Sequence, residues 1–287
     1  MDNEKKVRQI VSGASNMSHD KFIKANKELW ENRTEAHLKS EFYDVPGFLK
    51  GRETLDPIDI EEVGDVRGKS LLHLMCHLGL DTLSWARHGA DVTGVDISES
   101  AIAAARKLAL ETNLDAEFIQ SNVYDLPENL ERQFDIIFMT EGVLVWLPDM
   151  EGLFLIVSHF LKPGGFLYLR DFHPFFYVFD DESDEQNPQV RYPYFRGAEP
   201  MRFEYDTSYA SGEHELNPMP QYEWTHPVSS IINGAVKAGL SIQFFNEFPF
   251  IKFPYLKTLK KSKNGRWILP ERENLLPMMF SLKATKN

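Results

Sequence analysis

The segment Leu71-Leu72-His73-Leu74-Met75-Cys76-His77-Leu78-Gly79-Leu80-Asp81-Thr82 is followed, 17 residues after Gly79, by Asp96 at the close of Val92-Thr93-Gly94-Val95-Asp96. An apolar run, a loop, a helix start and a second run ending in a carboxylate can hold a nucleoside. The helix N-terminus offers free backbone donors and positive partial charge, and the carboxylate accepts from the paired ribose hydroxyls. The plainer alternative is that Asp96 only caps the helix after Ser98. His73, Cys76 and His77 also invite a metal reading, because imidazole and thiolate suit zinc. Residues 73 and 76 alternate across a strand, however, and no second cysteine supports them, so no metal is expected and Cys76 reads as a buried apolar thiol. Further along stand His173, Tyr209, Tyr222, Glu223, Trp224 and His226. Aromatic faces stack on planar substrates or attract cations, and histidine can remove a proton near neutral pH. Alternatively, Tyr222 and Trp224 are lid core, and His173-Pro174 and His226-Pro227 merely shape turns.

The elements that must position these groups alternate between β-type and helical stretches from about residue 68, which predicts a parallel sheet covered by helices. Strands are expected at Ser70 to Met75, Asp91 to Val95, Glu117 to Gln120, Phe134 to Met139 and Phe166 to Leu169. Between them lie helices at Asp81 to His88, at Glu99 to about Thr112 with Ser98 as cap, and at Leu153 to Leu161, before a turn at Pro163-Gly164-Gly165. Residues 172 to 226 have no helical period and read as an insertion with a hairpin around Phe203 to Ala210. Ser230 to Ala238 is helical, and Ile242 to Phe248 and Met278 to Thr285 are strands separated by a long loop of mixed charge. Ahead of the core, His19 to about Phe42 looks helical and Val45 to Arg67 loop-rich. The whole reads as a single α/β domain: a cover at 1–67, a core at 68–171, an insertion at 172–226 and a C-terminal part at 227–287.

At this point the chain resembles the class I S-adenosylmethionine-dependent methyltransferases. The motifs that carry the resemblance are Asp96, Phe134-Asp135-Ile136-Ile137-Phe138, Trp146-Leu147-Pro148-Asp149 and Leu161-Lys162-Pro163-Gly164-Gly165-Phe166. The resemblance implies a seven-stranded, doubly wound sheet with a reversed C-terminal hairpin, S-adenosylmethionine as cofactor, and methyl transfer to an O, N or S nucleophile on a small molecule. It assigns the cofactor to Trp30, Arg33, His73, Met75, His77, Gly79, Asp81, Asp96, Ile97, Asn122, Val123, Thr140 and Glu141. The first loop would wrap the methionine portion and Asp96 would hold the ribose. Asn122 and Val123 would flank the adenine, while Thr140, Glu141 and Gly142 would line the transfer site. The acceptor would meet His173, Tyr209, Trp224 and His226. In the first loop this chain departs from the family, with His73 at the usual acidic position, Met75 and His77 at two glycine positions, and only Gly79 kept. Thiopurine-type members also have a glycine-poor loop, paired with an N-terminal helix that carries a tryptophan. Trp30, Arg33, Thr34 and His37 are spaced to share such a helix face here, and Arg33 is placed to pair with the cofactor carboxylate as part of a mobile cover.

Two rivals remain at this level, a non-catalytic adenosyl-ligand binder of the same fold and a nicotinamide-dependent reductase. The second suffers from the missing G-x-G-x-x-G that close pyrophosphate approach requires. Composition removes other classes. With 31 Lys and Arg against 43 Asp and Glu, the net charge of −12 repels phosphate backbones and anionic lipid, so neither nucleic acid nor membrane is an expected partner. A lone cysteine and an N-terminus without an apolar stretch predict a soluble protein of the reducing cytoplasm.

Overall fold

The computed structural model describes residues 19–183, 185, 187–197, 199–210 and 216–287. A seven-stranded sheet runs in the order β3-β2-β1-β4-β5-β11-β8. Its strands are β1 (Ser70–Leu74), β2 (Asp91–Asp96), β3 (Glu117–Gln120), β4 (Phe134–Thr140), β5 (Leu161–Phe172), β8 (Leu240–Phe248) and β11 (Met279–Lys286). The first five pair in parallel, and β11 lies antiparallel between β5 and β8, which is the reversed hairpin expected at the C-terminus. The chain order reverses between β1 and β4, so ligands of such a sheet gather beyond the carboxyl ends of these two strands.

Burial explains why these runs are strands. Every residue of β1 is buried, because helices cover the central strands on both faces. In β5 the run is interrupted: Leu161 pairs with Phe134 and Phe166 with Ile136, so the four residues from Lys162 to Gly165 leave the register as the predicted turn. The crossover helices begin where their caps lie. Ser98 Oγ accepts from Ala101 N at 3.1 Å to start α5 (Glu99–Thr112), which ends on Asn113 with a left-handed φ of 52°. Helix α4 (Leu80–Arg87) starts behind Gly79, and α6 (Met150–Phe160) and α7 (Val228–Lys237) pack together on the far side of the sheet. Helix α1 (Asp20–Lys39) precedes them all.

Two expectations are corrected here. Val45 to Arg67 is not merely loop, since it holds α2 (Val45–Leu49) and α3 (Pro57–Val63). Each follows an aspartate cap with proline in its first turn, and each is too short to display a helical period. The hairpin around Phe203 to Ala210 does not form either. Its first arm is β6 (Met201–Tyr205), but the partner is β7 (Met219–Glu223), with a long connection that includes residues outside those described. The long C-terminal loop also has hidden order, because Ile251, Leu256, Leu259 and Leu269 join Phe172, Phe176, Val178 and Phe179 in one apolar cluster. Within that loop, β9 (Lys260–Lys261) and β10 (Trp267–Ile268) form a short ribbon. Among the described residues no helix is long and apolar enough to cross a membrane.

Candidate active site

The first loop keeps the backbone that glycines would give it. Met75 and His77 have φ of 61° and 48°, in the left-handed region that side chains other than glycine rarely adopt, and Gly79 has φ of 71°. Hydrogen bonds hold this path: Cys76 N donates to Val95 O at 2.9 Å, His77 N to Asp96 Oδ2 at 2.8 Å, and Gly79 N to Cys76 O at 2.8 Å. Gly79 is required for a second reason, since a Cβ there would stand 2.6 Å from Phe118 and 2.8 Å from Ala105. His73 takes no part in the ring cluster over the loop. It is packed into the core with Nδ1 2.8 Å from Thr82 Oγ1 and its ring edge-on to Phe138, so the structure gives it a packing role where the sequence suggested a cofactor contact. His77 points elsewhere, with Nε2 2.9 Å from His37 Nδ1 and its ring beside Trp30 and Tyr43. Burial drives both imidazoles toward the neutral form, His73 and His77 each to about 3. Among the described residues no three His, Cys, Asp or Glu side chains converge as metal ligands.

Asp96 sits at the carboxyl end of β2 and does what the plainer alternative required. Its Oδ1 accepts from Ser98 N at 2.9 Å while Oδ2 holds the first loop through His77 N. Each carboxylate oxygen still has a second lone pair, so the cap does not exhaust it. Burial, opposed by these backbone hydrogen bonds, raises Asp96 to about 6. Asp81, in the first turn of α4, is likewise pushed by burial to about 6. Beyond β3, Asn122 Oδ1 accepts from Tyr124 N at 3.3 Å and Val123 is buried, while Ile97 O accepts from Gln120 Nε2 at 3.0 Å.

The loop after β4 is held by a residue to which the sequence assigned nothing. Asp171, buried at the end of β5, accepts from the backbone N–H of Gly142 (2.6 Å), Val143 (3.1 Å), Leu144 (2.8 Å) and Phe172 (2.7 Å). Its neighbour Arg170 makes a buried two-pronged pair with Asp59 and reaches Glu141 Oε2 at 2.5 Å. A signal was present: two charged residues, Arg170-Asp171, close an otherwise apolar strand. Glu141 therefore belongs to an ion network that also includes Lys252 at 3.4 Å, and Thr140 is buried at the strand end.

Helix α1 turns Trp30, Arg33 and His37 inward over this surface. Trp30 meets the rings of His37, His77 and Trp146 edge-on. Arg33 is 5% exposed; its Nη2 donates to Gln221 Oε1 at 2.6 Å, while its buried Nε has no partner and no carboxylate stands within ion-pair distance among the described residues. The helix is anchored to both neighbours. Asn26 pairs with the backbone of Tyr222 through two hydrogen bonds of 2.7 and 2.9 Å, and Glu31 accepts from Glu99 N and Ser100 N at the start of α5.

The expected acceptor residues divide into groups. Trp224 and His226 line a cavity of about 30 Å³ together with Phe172, Tyr177, Tyr255 and Glu223. Trp224 is 1% exposed with an unpartnered Nε1, and His226 Nε2 donates to Leu147 O at 2.7 Å. Tyr209 lies outside that cavity; it is 44% exposed, stacks on Phe253 and hydrogen-bonds Tyr43 beside His37. His173 is also absent from the cavity wall, because its Nε2 faces Glu247 of β8 at 3.0 Å. Sequence proximity to Pro174, which does line the cavity, gave no information about the direction of that ring.

Residues 72–167 match the family described as Methyltransferase domain. Over that stretch the chain is similar to methyltransferase domains. A ubiquinone biosynthesis O-methyltransferase of Photorhabdus laumondii is 29% identical over 135 residues, 46% of this chain and 56% of that protein. The chain thus spans about half the length of the curated relatives it matches. A methyltransferase structure from Mesorhizobium loti superposes with a TM-score of 0.55 at 19% identity, covering 83% of this chain and 100% of the other. Another, from Clostridium acetobutylicum, gives 0.52 at 14%, covering 91% and 98%. At these identities the two structures establish the methyltransferase fold alone.

S-adenosylmethionine is the cofactor of this domain type. The residues present fit it. A buried guanidinium with an orphaned Nε and no carboxylate partner suits the amino-acid end, and Asp96 retains acceptor capacity for a diol.

Proposed function

We propose that this protein transfers a methyl group from S-adenosylmethionine to a small-molecule O, N or S nucleophile held beneath the insertion. The observation that carries the reading is Arg33: burying an unpaired guanidinium is costly, and a carboxylate-bearing ligand beside the first loop removes that cost. In this reading Arg33 binds the carboxylate and Asp96 the ribose. Asn122, Val123 and Ile97 bound the adenine, and Asp81, Met75, His77 and Gly79 shape the floor. When bound, the cofactor supplies an electrophilic methyl group on a sulfonium.

The chain's own contribution is positioning and exclusion of water. Asp171 fixes the backbone of residues 142 to 144, so the loop between cofactor and acceptor cavity holds one shape. Trp30 and Trp146 meet edge to face with ring centroids 5.1 Å apart and roof that loop. His226, which burial moves down to about 4, is neutral near pH 7 and uses its Nε2 proton on Leu147 O. The relatives' names point to an oxygen acceptor, but the matched family segment ends at residue 167, ahead of the insertion that lines the cavity. The acidic surface and the buried lone Cys76 accord with a small-molecule acceptor and a reducing compartment such as the cytoplasm. The test is release of S-adenosylhomocysteine from purified protein, S-adenosylmethionine and a panel of small O, N and S nucleophiles. Release by no acceptor, together with undiminished cofactor binding, would leave the chain an adenosyl-ligand binder.

A further inference from the structure

The cavity under the insertion has an uneven chemistry. Six aromatic residues line it, among them Phe172, Tyr177, Tyr192, Trp224 and Tyr255, and the one formally charged side chain in its wall is Glu223. Among the described residues no lysine or arginine reaches Glu223 within ion-pair distance. Arg33 is linked to it only through Gln221, whose Oε1 accepts from Arg33 Nη2 and whose Nε2 donates to Glu223 Oε1. A second carboxylate reinforces the sign: Asp181 accepts from Tyr192 Oη at 3.1 Å and from Tyr205 Oη at 3.5 Å. A half-buried carboxylate among aromatic rings without a counter-ion is half of a charge pair. An anionic acceptor would be repelled, and a neutral alcohol or thiol would leave the charge uncompensated. An ammonium group satisfies both features, since it pairs with the carboxylate and lies against ring faces.

We infer that the reacting end of the acceptor is an amine, bound as its cation among Tyr177, Tyr192, Trp224 and Tyr255 with Glu223 as counter-charge. This rests on the methyl-transfer reading only for the word acceptor; recognition of the cation stands on the cavity alone. The cavity of about 30 Å³ has room for more than the single water that ~10–15 Å³ admits. Glu223 also provides the proton step that an amine nucleophile requires. The ammonium N–H bond breaks, its proton passes to the carboxylate to give a carboxylic acid, and the electron pair stays on nitrogen as a free amine. Burial, opposed by the Gln221 hydrogen bond and by Arg33, raises Glu223 to about 7, so either form is accessible near neutrality.

The experiment uses the full chain and two probes of equal shape, choline and its uncharged carbon isostere 3,3-dimethylbutan-1-ol, followed by calorimetry or saturation-transfer NMR at pH 8. Choline is expected to bind at least tenfold more tightly, and Glu223→Gln to bring the ratio below threefold. Tyr192→Leu, at the half-exposed rim, is expected to reduce the ratio as well, which keeps the question open to test should Glu223→Gln fold poorly. Equal affinity for the two probes, or an unchanged ratio in a well-folded Glu223→Gln protein, overturns the inference. S-adenosylmethionine affinity measured on the same samples separates the two claims: intact cofactor binding without cation preference rejects the amine and leaves methyl transfer standing. Cation preference without cofactor binding does the reverse.

Discussion

His37 Nδ1 stands 2.9 Å from His77 Nε2, and on its other side His37 Nε2 stands 2.6 Å from Ser208 Oγ. A histidine at a left-handed position of the first loop is thereby tied, through α1, to the insertion. Burial holds His37 at about 2 and His77 at about 3, so both rings are neutral in any physiological range and one shared proton joins them.

Replacing His77 by glycine sets two effects against each other. Glycine relieves a left-handed φ that costs about 1–2 kcal/mol for other residues. It also deletes a half-buried ring that touches Trp30, His37 and Tyr43, and large-to-small changes in packed sites cost ~2–5 kcal/mol. Packing wins by a small margin. Calorimetric scanning of His77→Gly should show a Tm lower by roughly 2–6 °C. A higher Tm would mean that the ring cluster contributes less than the strain it imposes.

Asp96→Asn should weaken S-adenosylmethionine binding by at least tenfold, because hydrogen bonds to a charged acceptor contribute ~1.5–3 kcal/mol each. The wild-type protein should also lose affinity as the pH falls through about 6, where Asp96 takes up a proton and stops being a charged acceptor. The sign for stability is the opposite. The folded state binds this proton more tightly than the unfolded chain does, so this group's contribution to stability declines as the pH rises from about 4 to 6. Calorimetric titration from pH 5 to 8 decides it, and a pH-independent dissociation constant equal to that of Asp96→Asn would remove the ribose assignment.

Arg33 can be tested with a pair of ligands that differ at the carboxylate. Arg33→Ala should lower the affinity for S-adenosylmethionine tenfold or more while leaving 5′-methylthioadenosine, which lacks the amino-acid end, within threefold of wild type. Equal losses for both ligands would make Arg33 a packing residue that holds Gln221 and α1 in place.

The parts of this arrangement that the sequence revealed are those set by local chemistry. Ser98 announced α5 because its hydroxyl caps three residues ahead, and the central strands were legible because β1 and β4 are apolar throughout or nearly so. Met75 and His77 were recognisable as occupants of glycine positions, and their positive φ follows from the loop rather than from their own preferences. The charge of Asp171 at the end of its strand was visible, but its role stayed hidden because its partners are backbone N–H groups, which leave no mark in a sequence. The acceptor cavity was hidden for a different reason. Its walls meet over long separations, as in the bond from Trp224 N to Val145 O, and no periodicity spans such distances.

Chelators should leave methyl transfer unchanged. His73 is committed to Thr82, His77 to His37, and the Cys76 thiol is buried, where burial first and the Asp96 charge second push it well above its ordinary value. A cysteine ligates zinc as its thiolate, so this site opposes the form of Cys76 that binds metal. Activity measured after dialysis against EDTA, with and without added zinc, checks the expectation, and a loss restored by zinc alone would contradict it.

The last prediction concerns α1. Its contacts are of two kinds: Asn26 completes hydrogen bonding on the backbone of Tyr222 in β7, and Glu31 does the same for the start of α5. The helix therefore joins the insertion to the core, and Arg33, two residues past the second anchor, is the residue that a cofactor carboxylate would engage. A ligand that pairs with Arg33 should suppress opening of the helix and of β7 together. In the free protein, hydrogen exchange over residues 20–39 and 219–223 should be faster than in the sheet core, and S-adenosylhomocysteine should slow both segments in parallel. Asn26→Ala removes one anchor and leaves two backbone groups of β7 short of partners, at a cost of ~1–3 kcal/mol, so both segments should exchange tenfold faster or more in the free state. Slowing by the ligand should persist in that variant, because Arg33 is intact. If α1 is as protected in the free protein as in the complex, it is a fixed part of the core, and water exclusion must be credited to Trp146 and the β4 loop alone.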